Sequence, residues 1–340
     1  MAQTGPMFSA VAASARHILL LLRCISFAKK ALVRISSDGL RFSTDEGSSM
    51  EAFVFLEKAL FTSYTYHPLL PPSSQDDPPE PPIFEIDLQS LLETLSIFSL
   101  SDPNASKRPG GYDDFAAHRL NRHAGINAFS NHAMGMTGVC TFSYAGEGSA
   151  LSIHMSESGV TTTCDLTTYE AESTEEIPFN RNTLSVKTIM RASFLLDAIN
   201  ELNSLTPASM TIVALLPTRP GPHLSLSAVG VLGSASIDFT TTTSSETPVL
   251  ETFHCPSKTS ASYRFSSLKA AQRAMATATK VSLRMDDEGV LSLQFLVEIE
   301  PAGGGGDAAA AVAFVDFRIV PLVEGEGEGG ETGDGGDESE

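Results

Sequence analysis

Tryptophan is absent from the 340 residues, and cysteine occurs only four times. The cysteines are far apart and form no CxxC pair, a distribution that disfavours both a disulfide framework and a cysteine zinc site. We therefore predict four reduced thiols, which are Cys24, Cys140, Cys164 and Cys255.

The sequence also lacks an apolar run long enough to span a membrane. The run at residues 18–22 is short and has Arg16 and Arg23 on either side, so it cannot cross a bilayer. It fits a secretory signal poorly, because nothing basic precedes Arg16 and no small-residue cleavage site follows. We predict a nuclear or cytosolic protein with no membrane partner.

Basic residues are scarce, since 22 Lys and Arg stand against 41 Asp and Glu. Residues 324–340 contain eight of the acidic residues and no basic one, and their Gly/Glu composition predicts a disordered tail. The acidic balance disfavours non-specific binding to nucleic acid or membranes. It still permits a basic surface inside a ring whose outside is acidic.

The hydrophobic pattern is clear where it is present, and it is clearest at residues 280–297. Apolar and polar residues alternate there on both sides of the turn Asp287, Glu288 and Gly289, which predicts a β-hairpin with one buried face. Upstream, residues 262–265 predict a strand and residues 266–278 a helix with Leu268, Ala271 and Met275 on one side. The unit is therefore strand, helix, hairpin.

The same unit occurs four times, which indicates an internal duplication. We predict an α+β protein with two domains at residues 1–168 and 183–323, a connector at 169–182 and the tail at 324–340. The other copies are residues 7–11, 14–27 and 30–43; residues 82–86, 87–98, 138–144 and 150–164; and residues 184–190, 191–202, 210–217 and 224–229.

Two segments interrupt the pattern in the first half. Residues 66–82 are rich in proline and predict an exposed loop. Residues 100–135 have no period and predict a disordered surface insertion. The spacing of His118, His123 and His132 does not match a zinc site.

Two β-branched, weakly charged strands have no obvious cover in the sequence, at residues 160–168 and 234–243. An uncovered strand edge is a template for pairing with another chain. The alternative is that an internal strand covers each of them, and the sequence leaves both possibilities open.

Several segments together resemble the checkpoint branch of the DNA sliding-clamp family. The resemblance is to the "one" subunits of the nine-one-one heterotrimers, which are relatives of proliferating cell nuclear antigen. It covers nearly the whole chain except the loop, the insertion and the tail. The segments are SSDGLRFSTDEGSSMEAFVF, FEIDLQSLLETLSIFS, TCDLTTYEAE, LETFHCPS, YRFSSLKAA and KVSLRMDDEGVLSLQF.

The resemblance implies a sliding-clamp fold, with helices lining the hole of a ring and antiparallel sheets outside. It implies a heterotrimer with two related clamp subunits, placed on double-stranded DNA in the nucleus by a clamp loader. Such a ring serves the DNA damage checkpoint, the cell cycle and DNA repair as a platform for checkpoint and repair factors. No cofactor or metal is implied.

The resemblance also assigns roles to residues by position. The basic residues that the resemblance places facing DNA are Arg16, Arg23, Lys29, Lys30, Arg191, Arg264, Lys269, Arg273 and Lys280. The implied subunit interfaces are Val160, Thr161, Thr162, Thr163 and Asp165 on one side, and Ser234, Ser236, Asp238 and Thr240 on the other.

The implied groove for partner peptides lies under the connector and comprises Ile177, Phe179, Ile319 and Pro321. Asp45 and Glu46 put charge where the replicative clamp has an apolar residue. The second predicted helix has no lysine or arginine, and the third has Asp197 and Glu201 beside Arg191. We therefore expect an unevenly basic channel and an altered groove.

An enzyme is the alternative from another class. Asp286, Asp287 and Glu288 are clustered carboxylates that could hold metal ions in a metal-dependent 3'-5' exonuclease. They lie on a predicted hairpin turn, where Asp and Gly are favoured for backbone reasons. No P-loop, GxSxG or HExxH motif is present, and we predict no enzyme activity. A monomeric scaffold that keeps the clamp fold is the third possibility.

Overall fold

The computed structural model describes residues 5–12, 14–67, 81–99, 139–157, 160–172, 175–217, 222–241, 248–299 and 311–323. Most of the predicted Pro-rich loop, the insertion at 100–135 with its three histidines, and the acidic tail lie outside these residues.

The first half contains nine strands and two α-helices within the described ranges. The helices are α1 (Ala15–Cys24) and α2 (Leu88–Ser99), and a 3-10 helix spans Lys58–Leu60. The strands are β1 (Phe8–Ala12), β2 (Lys30–Ile35), β3 (Gly39–Asp45), β4 (Met50–Glu57), β5 (Ser63–Tyr66), β6 (Ile83–Asp87), β7 (Val139–Tyr144), β8 (Leu151–Glu157) and β9 (Val160–Leu166).

The second half repeats this order. Its helices are α3 (Ala192–Asn203), α4 (Phe265–Ala270) and α5 (Gln272–Thr277). Its strands are β10 (Leu184–Arg191), β11 (Ser209–Ala214), β12 (Leu224–Gly230), β13 (Gly233–Phe239), β14 (Leu250–His254), β15 (Thr259–Arg264), β16 (Lys280–Asp286), β17 (Leu291–Ile299) and β18 (Ala311–Ile319).

The repeating unit is a strand, a helix and a meander of three strands. The four meanders are β2 to β4, β7 to β9, β11 to β13 and β16 to β18. The first strand of each unit pairs with the meander of the other unit in the same half, as β1 does with β7 and β10 with β16. This exchange interlocks the two units of each half.

The two halves share one sheet. A nine-stranded sheet has the order β14-β10-β16-β17-β18-β4-β3-β2-β6, and β18 pairs with β4 at its centre. The other sheets are β5-β1-β7-β8-β9 in the first half and β13-β12-β11-β15 in the second. The sliding-clamp fold predicted from the sequence is the fold observed.

Alternating burial follows from the alternating sequence. In β16, Val281, Leu283 and Met285 are buried while the residues between them are partly exposed. The hairpin turns at Gly289, whose φ of 82° lies in the left-handed region that glycine adopts at least cost. The helices cover the buried face of the nine-stranded sheet, and the connector crosses the opposite face.

Two predicted helices differ from those observed. The first ends at Cys24 rather than at residue 27, because a turn follows at residues 25–27. The predicted helix at residues 266–278 is two short helices separated at Ala271. The first error concerns a helix end, where a periodic pattern carries little information. The second is a break inside a predicted helix. No helix within the described residues is long and apolar enough to cross a membrane.

Candidate functional site

The helices form one layer, and its centre is basic. α1 contacts α2 and α5, and α5 contacts α3, so the layer order is α2, α1, α5, α3. Arg16 and Arg23 on α1 are exposed, as are Lys269 on α4 and Arg273 on α5. Arg273 Nη1 lies 2.6 Å from Ser26 Oγ, across the boundary between the two halves. The structure thus brings together four of the basic residues that were predicted to face DNA.

The flanks of the same layer are acidic. Glu93 on α2 and Asp197 and Glu201 on α3 are exposed. α2 lies beside β9 and α3 beside β13, so both acidic flanks adjoin the edges of the molecule. The uneven charge predicted from the sequence is arranged as a basic centre between two acidic margins.

The other basic residues that were predicted to face DNA lie beside the helices rather than at the centre of the layer. Lys29 follows α1, and Lys30 opens β2, where its Nζ lies 2.6 Å from Glu172 and 3.0 Å from Glu85. The hydrogen bond to Glu172, followed by that to Glu85, raises the pKa of Lys30 to about 12. Arg191, Arg264 and Lys280 are exposed beside the helices, and Lys280 Nζ lies 2.6 Å from Glu251. Lys30 and Lys280 thus form ion pairs with acidic residues of the same chain.

β9 is an edge strand of its sheet. Within the described residues it pairs only with β8. Thr161, Thr163 and Asp165 lie on its outer face, whereas Thr162 and Cys164 face the helices. Asp165 accepts a hydrogen bond from Ser152 Oγ, and Thr94 on α2 donates one to Cys164 Sγ at 3.3 Å.

β13 is the corresponding edge of the second half. In the part of the chain that the structure describes, it pairs only with β12. Ser234, Ser236 and Asp238 lie on its outer face, and Asp238 Oδ1 accepts a hydrogen bond from Ser225 Oγ at 2.6 Å. Thr240 lies beyond the end of the strand. No internal strand covers either predicted edge among these residues.

The tip of the β12–β13 hairpin is apolar and exposed. Val229, Val231 and Leu232 are 74%, 90% and 74% exposed. Gly230 lies against the backbone of Leu205, and a Cβ there would lie 2.0 Å from the Leu205 oxygen, so the tip is held beside the end of α3. This tip was not predicted from the sequence. The run VGVLG between two predicted strands was the available signal.

A network of charged side chains holds the connector to the nine-stranded sheet. Arg318 Nη1 donates to Glu51 Oε1 at 2.9 Å and to the Ile177 carbonyl at 2.7 Å. Arg318 and Arg41 both bond Glu176 on the connector. Their guanidinium groups lie 5.3 Å and 4.1 Å from the centre of the Phe53 ring. Ordered charge pairs and an aromatic platform thus fix the connector.

The pKa shifts in this network follow burial and charge. Burial raises the pKa of Glu51, against the backbone N–H of Ile177 and the charge of Arg318. Burial also acts to raise the pKa of Glu176, but Arg41 and Arg318 outweigh it, and the pKa is lowered.

Three of the four residues of the predicted peptide groove, Ile177, Phe179 and Pro321, are partly exposed, whereas Ile319 is buried. Ile319 is 1% exposed within β18, so it does not line a surface. Ile177 lies beside Arg318, Phe179 lies 5.8 Å from the Arg284 guanidinium, and Pro321 packs near Gly289. A cleft under the connector has a mostly polar lining, which includes Arg34, Arg41, Asp45, Glu51, Glu175 and Glu176.

Two of the clustered carboxylates of the hairpin turn, Asp286 and Asp287, accept hydrogen bonds within the chain. Asp286 is 2% exposed, and its carboxylate accepts N–H groups from Asn180 at 3.1 Å, Glu288 at 3.2 Å and Val290 at 2.8 Å. Asp287 accepts the Thr183 hydroxyl. These contacts shape the turn and attach the connector to it.

Comparison with known proteins agrees with this architecture. The family model described as "Repair protein Rad1/Rec1/Rad17" matches residues 7–297. The chain belongs to the Rad1/Rec1/Rad17 family.

Two checkpoint proteins are among the similar members of the Rad1/Rec1/Rad17 family. The chain is 31% identical to DNA damage checkpoint control protein rad1 of Schizosaccharomyces pombe, over 93% of this chain and 87% of that one. It is 25% identical to human cell cycle checkpoint protein RAD1, over 91% and 89%.

Two further comparisons concern activity and fold. The chain is 24% identical to a Mycosarcoma maydis protein named DNA repair exonuclease REC1, over 72% of this chain and 67% of that one. The crystal structure of PCNA from Thermococcus kodakaraensis matches 93% of this chain and 100% of its own with a TM-score of 0.60 at 19% identity. The latter establishes the shared fold.

Proposed function

We propose that this member of the Rad1/Rec1/Rad17 family is one of three different subunits of a checkpoint sliding clamp. The ring encircles double-stranded DNA at damage sites in the nucleus, where a clamp loader places it. It acts as a platform for checkpoint signalling and repair factors.

The observation that carries the proposal is the pairing of the third strands of the four meanders. β4 and β18 pair with each other inside the chain, while β9 and β13 each pair on one side only within the described residues. An edge strand of this kind is a template for another chain. Because the two edges differ, the contacts they form are heterologous, and heterologous contacts that close make rings.

The basic centre of the helix layer supports DNA as the occupant of the ring. Arg16, Arg23, Lys269 and Arg273 are exposed on adjacent helices. Each of these basic side chains can neutralise a DNA phosphate and release a counterion. Phosphate contacts do not distinguish sequences, as a sliding protein requires. The acidic flanks leave the contact looser near the edges, where other subunits supply positive charge.

We also propose that the protein is not an enzyme. The Asp286 carboxylate is occupied by three backbone N–H groups, which supports a structural role for the carboxylates of the turn. If so, Asp287→Asn with Glu288→Gln leaves any nuclease activity of a purified preparation unchanged. Loss of a magnesium-dependent activity in this variant would favour the exonuclease instead.

Co-expression with two related clamp subunits from the same organism tests the assembly. We expect the chain alone to elute as a monomer, and the three chains together to elute as a species of trimer size. A stable homotrimer would contradict the proposal, and a monomer indifferent to both partners would favour a monomeric scaffold.

Retention on DNA tests the ring itself. A clamp loaded on closed circular DNA should resist high salt and should leave when a single cut lets it slide off an end. Equal loss from circular and cut DNA would show that the protein binds the surface of DNA rather than encircling it.

A further inference from the structure

The junction between the halves provides a template for a contact between subunits. β18 and β4 pair antiparallel with Val315 opposite Val54 and Arg318 opposite Glu51. Arg318 and Glu51 form an ion pair at 2.9 Å on the outer face of the sheet. An opposite-charge pair therefore forms where these two third strands meet.

The edge strands correspond residue by residue to this junction. Leu151 pairs with Leu166 at the end of one hairpin, as Leu291 pairs with Ile319 in the other. By this correspondence Asp165 takes the place of Arg318.

On the partner side, Leu224 pairs with Phe239 as Leu40 pairs with Leu56. Ser234 then takes the place of Glu51. If β9 meets β13 in the register of the internal junction, Asp165 faces Ser234. Four residues along β9, Thr161 then faces Asp238.

A second copy of this chain would leave both carboxylates without a basic partner. The hairpins at residues 151–166 and 224–239 contain no lysine or arginine. Asp165 and Asp238 accept hydrogen bonds from serines of their own sheets, and among the described residues neither forms an ion pair. At the position that corresponds to Asp165 and Ser234, the internal junction contains the opposite-charge pair Arg318 and Glu51.

We propose that Asp165 and Asp238 select the neighbouring subunits. Each carboxylate faces a lysine or arginine on the edge strand of a different clamp subunit. A second copy of this chain is disfavoured because it presents Ser234 and Thr161 at those positions. This inference rests on the proposed function, since it names the chemistry of the partners at its two edges.

Placing arginines on this chain opposite Asp165 and Asp238 tests both the proposed pairing register and the proposed charge selection. In Thr161→Arg with Ser234→Arg, a second copy offers an arginine to each carboxylate. Two exposed ion pairs, each worth up to about fivefold in affinity, should strengthen self-association roughly tenfold, as measured by sedimentation over a range of concentrations. The gain should shrink as salt is raised.

Two controls separate charge from side-chain size. Thr161→Gln with Ser234→Gln adds length without charge and should give no gain. Adding Asp165→Asn and Asp238→Asn to the arginine variant should return self-association to the level of the unmodified chain. An equal gain with glutamine, no gain with arginine, or persistence of the gain after the asparagine changes would each overturn the proposal.

A second measurement covers the case in which the arginine variant does not fold. In pairwise binding to the two related subunits, Asp165→Asn should weaken binding to one subunit and Asp238→Asn binding to the other. If the unmodified chain binds both subunits and neither change alters either affinity, the charge selection is wrong while the clamp proposal stands. If the unmodified chain binds neither subunit, the proposed function itself is wrong.

Discussion

At the scale of single residues, Arg318 joins three regions of the molecule. It lies on the last strand, bonds Glu51 on β4 and holds the connector through Glu176 and the Ile177 carbonyl. Glu51 is 8% exposed, so removal of Arg318 would leave a nearly buried carboxylate without its cation. Such a loss costs far more than the loss of an exposed ion pair.

Arg318→Met is therefore expected to lower the free energy of unfolding by about 2–4 kcal/mol. The loss should be largest at neutral pH and smaller in acid, because the pKa of Glu51 is raised and protonation removes the uncompensated charge. Urea unfolding at several pH values measures both effects. Arg181→Met, at an exposed connector arginine, is the matched control and should change stability by less than about 0.5 kcal/mol.

Asp286 and its neighbour in the turn differ although both are aspartates. Asp286→Ala leaves three N–H groups near the connector and turn without their acceptor and should cost about 2–4 kcal/mol. Asp287→Ala removes one bond to the Thr183 hydroxyl and should cost about 1 kcal/mol or less. Thermal unfolding of the two variants compares them, and equal losses would contradict this assignment.

At the scale of elements, the β12–β13 hairpin presents an apolar tip next to an edge strand. Exposed apolar side chains in a group are typical of interaction surfaces. Val231→Ser with Leu232→Ser should leave the stability of the isolated chain within about 0.5 kcal/mol and weaken assembly with the related subunits.

A matched change elsewhere provides the control for this prediction. Val323 is 93% exposed and far along the chain from the hairpin, so Val323→Ser should affect neither stability nor assembly. Unchanged assembly in the tip variant, measured by sizing at limiting concentration, would exclude the tip from the interface.

The elements also show what the sequence could predict. Alternation gave the strands and turns, since a period of two is set locally by which side chains face the core. It did not reveal that β1 and β6 exchange places between units, because strand partners are chosen by long-range packing. The break at Ala271 was missed because the helical spacing of Leu268, Ala271 and Met275 continues through it.

The site was predictable to the extent that it depends on position along an element. The exposed positions of the basic residues on α1, α4 and α5 follow from helical spacing and the family resemblance. The pairing of Lys30 with Glu172 does not, because the two residues are 142 positions apart in sequence. The burial of Ile319 likewise depends on β18 lying between β17 and β4 rather than at an edge.

At the scale of the whole molecule, the basic centre of the helix layer is the surface on which DNA retention should depend. Changing Arg16, Arg23, Lys269 and Arg273 together to Glu should shorten retention on closed circular DNA about tenfold or more and make its salt dependence shallower. The fold should persist, because all four side chains are exposed.

The same charge change made away from the helices is the control. Lys58, Arg181, Lys187 and Lys258 are exposed outside α1 to α5, and changing these four to Glu should leave retention nearly unchanged. Equal loss in both variants would show that net charge, rather than the helix layer, governs binding to DNA.

The pairing of β18 with β4 has a mechanical consequence for a clamp. Because one continuous sheet crosses the boundary between the halves, bending the chain there would break the backbone pairing of β18 with β4. A loader that must admit a duplex would therefore have to pull neighbouring chains away from each other at a subunit boundary, where no covalent link resists the opening. In a clamp built as proposed above, the gate for DNA would then lie between subunits.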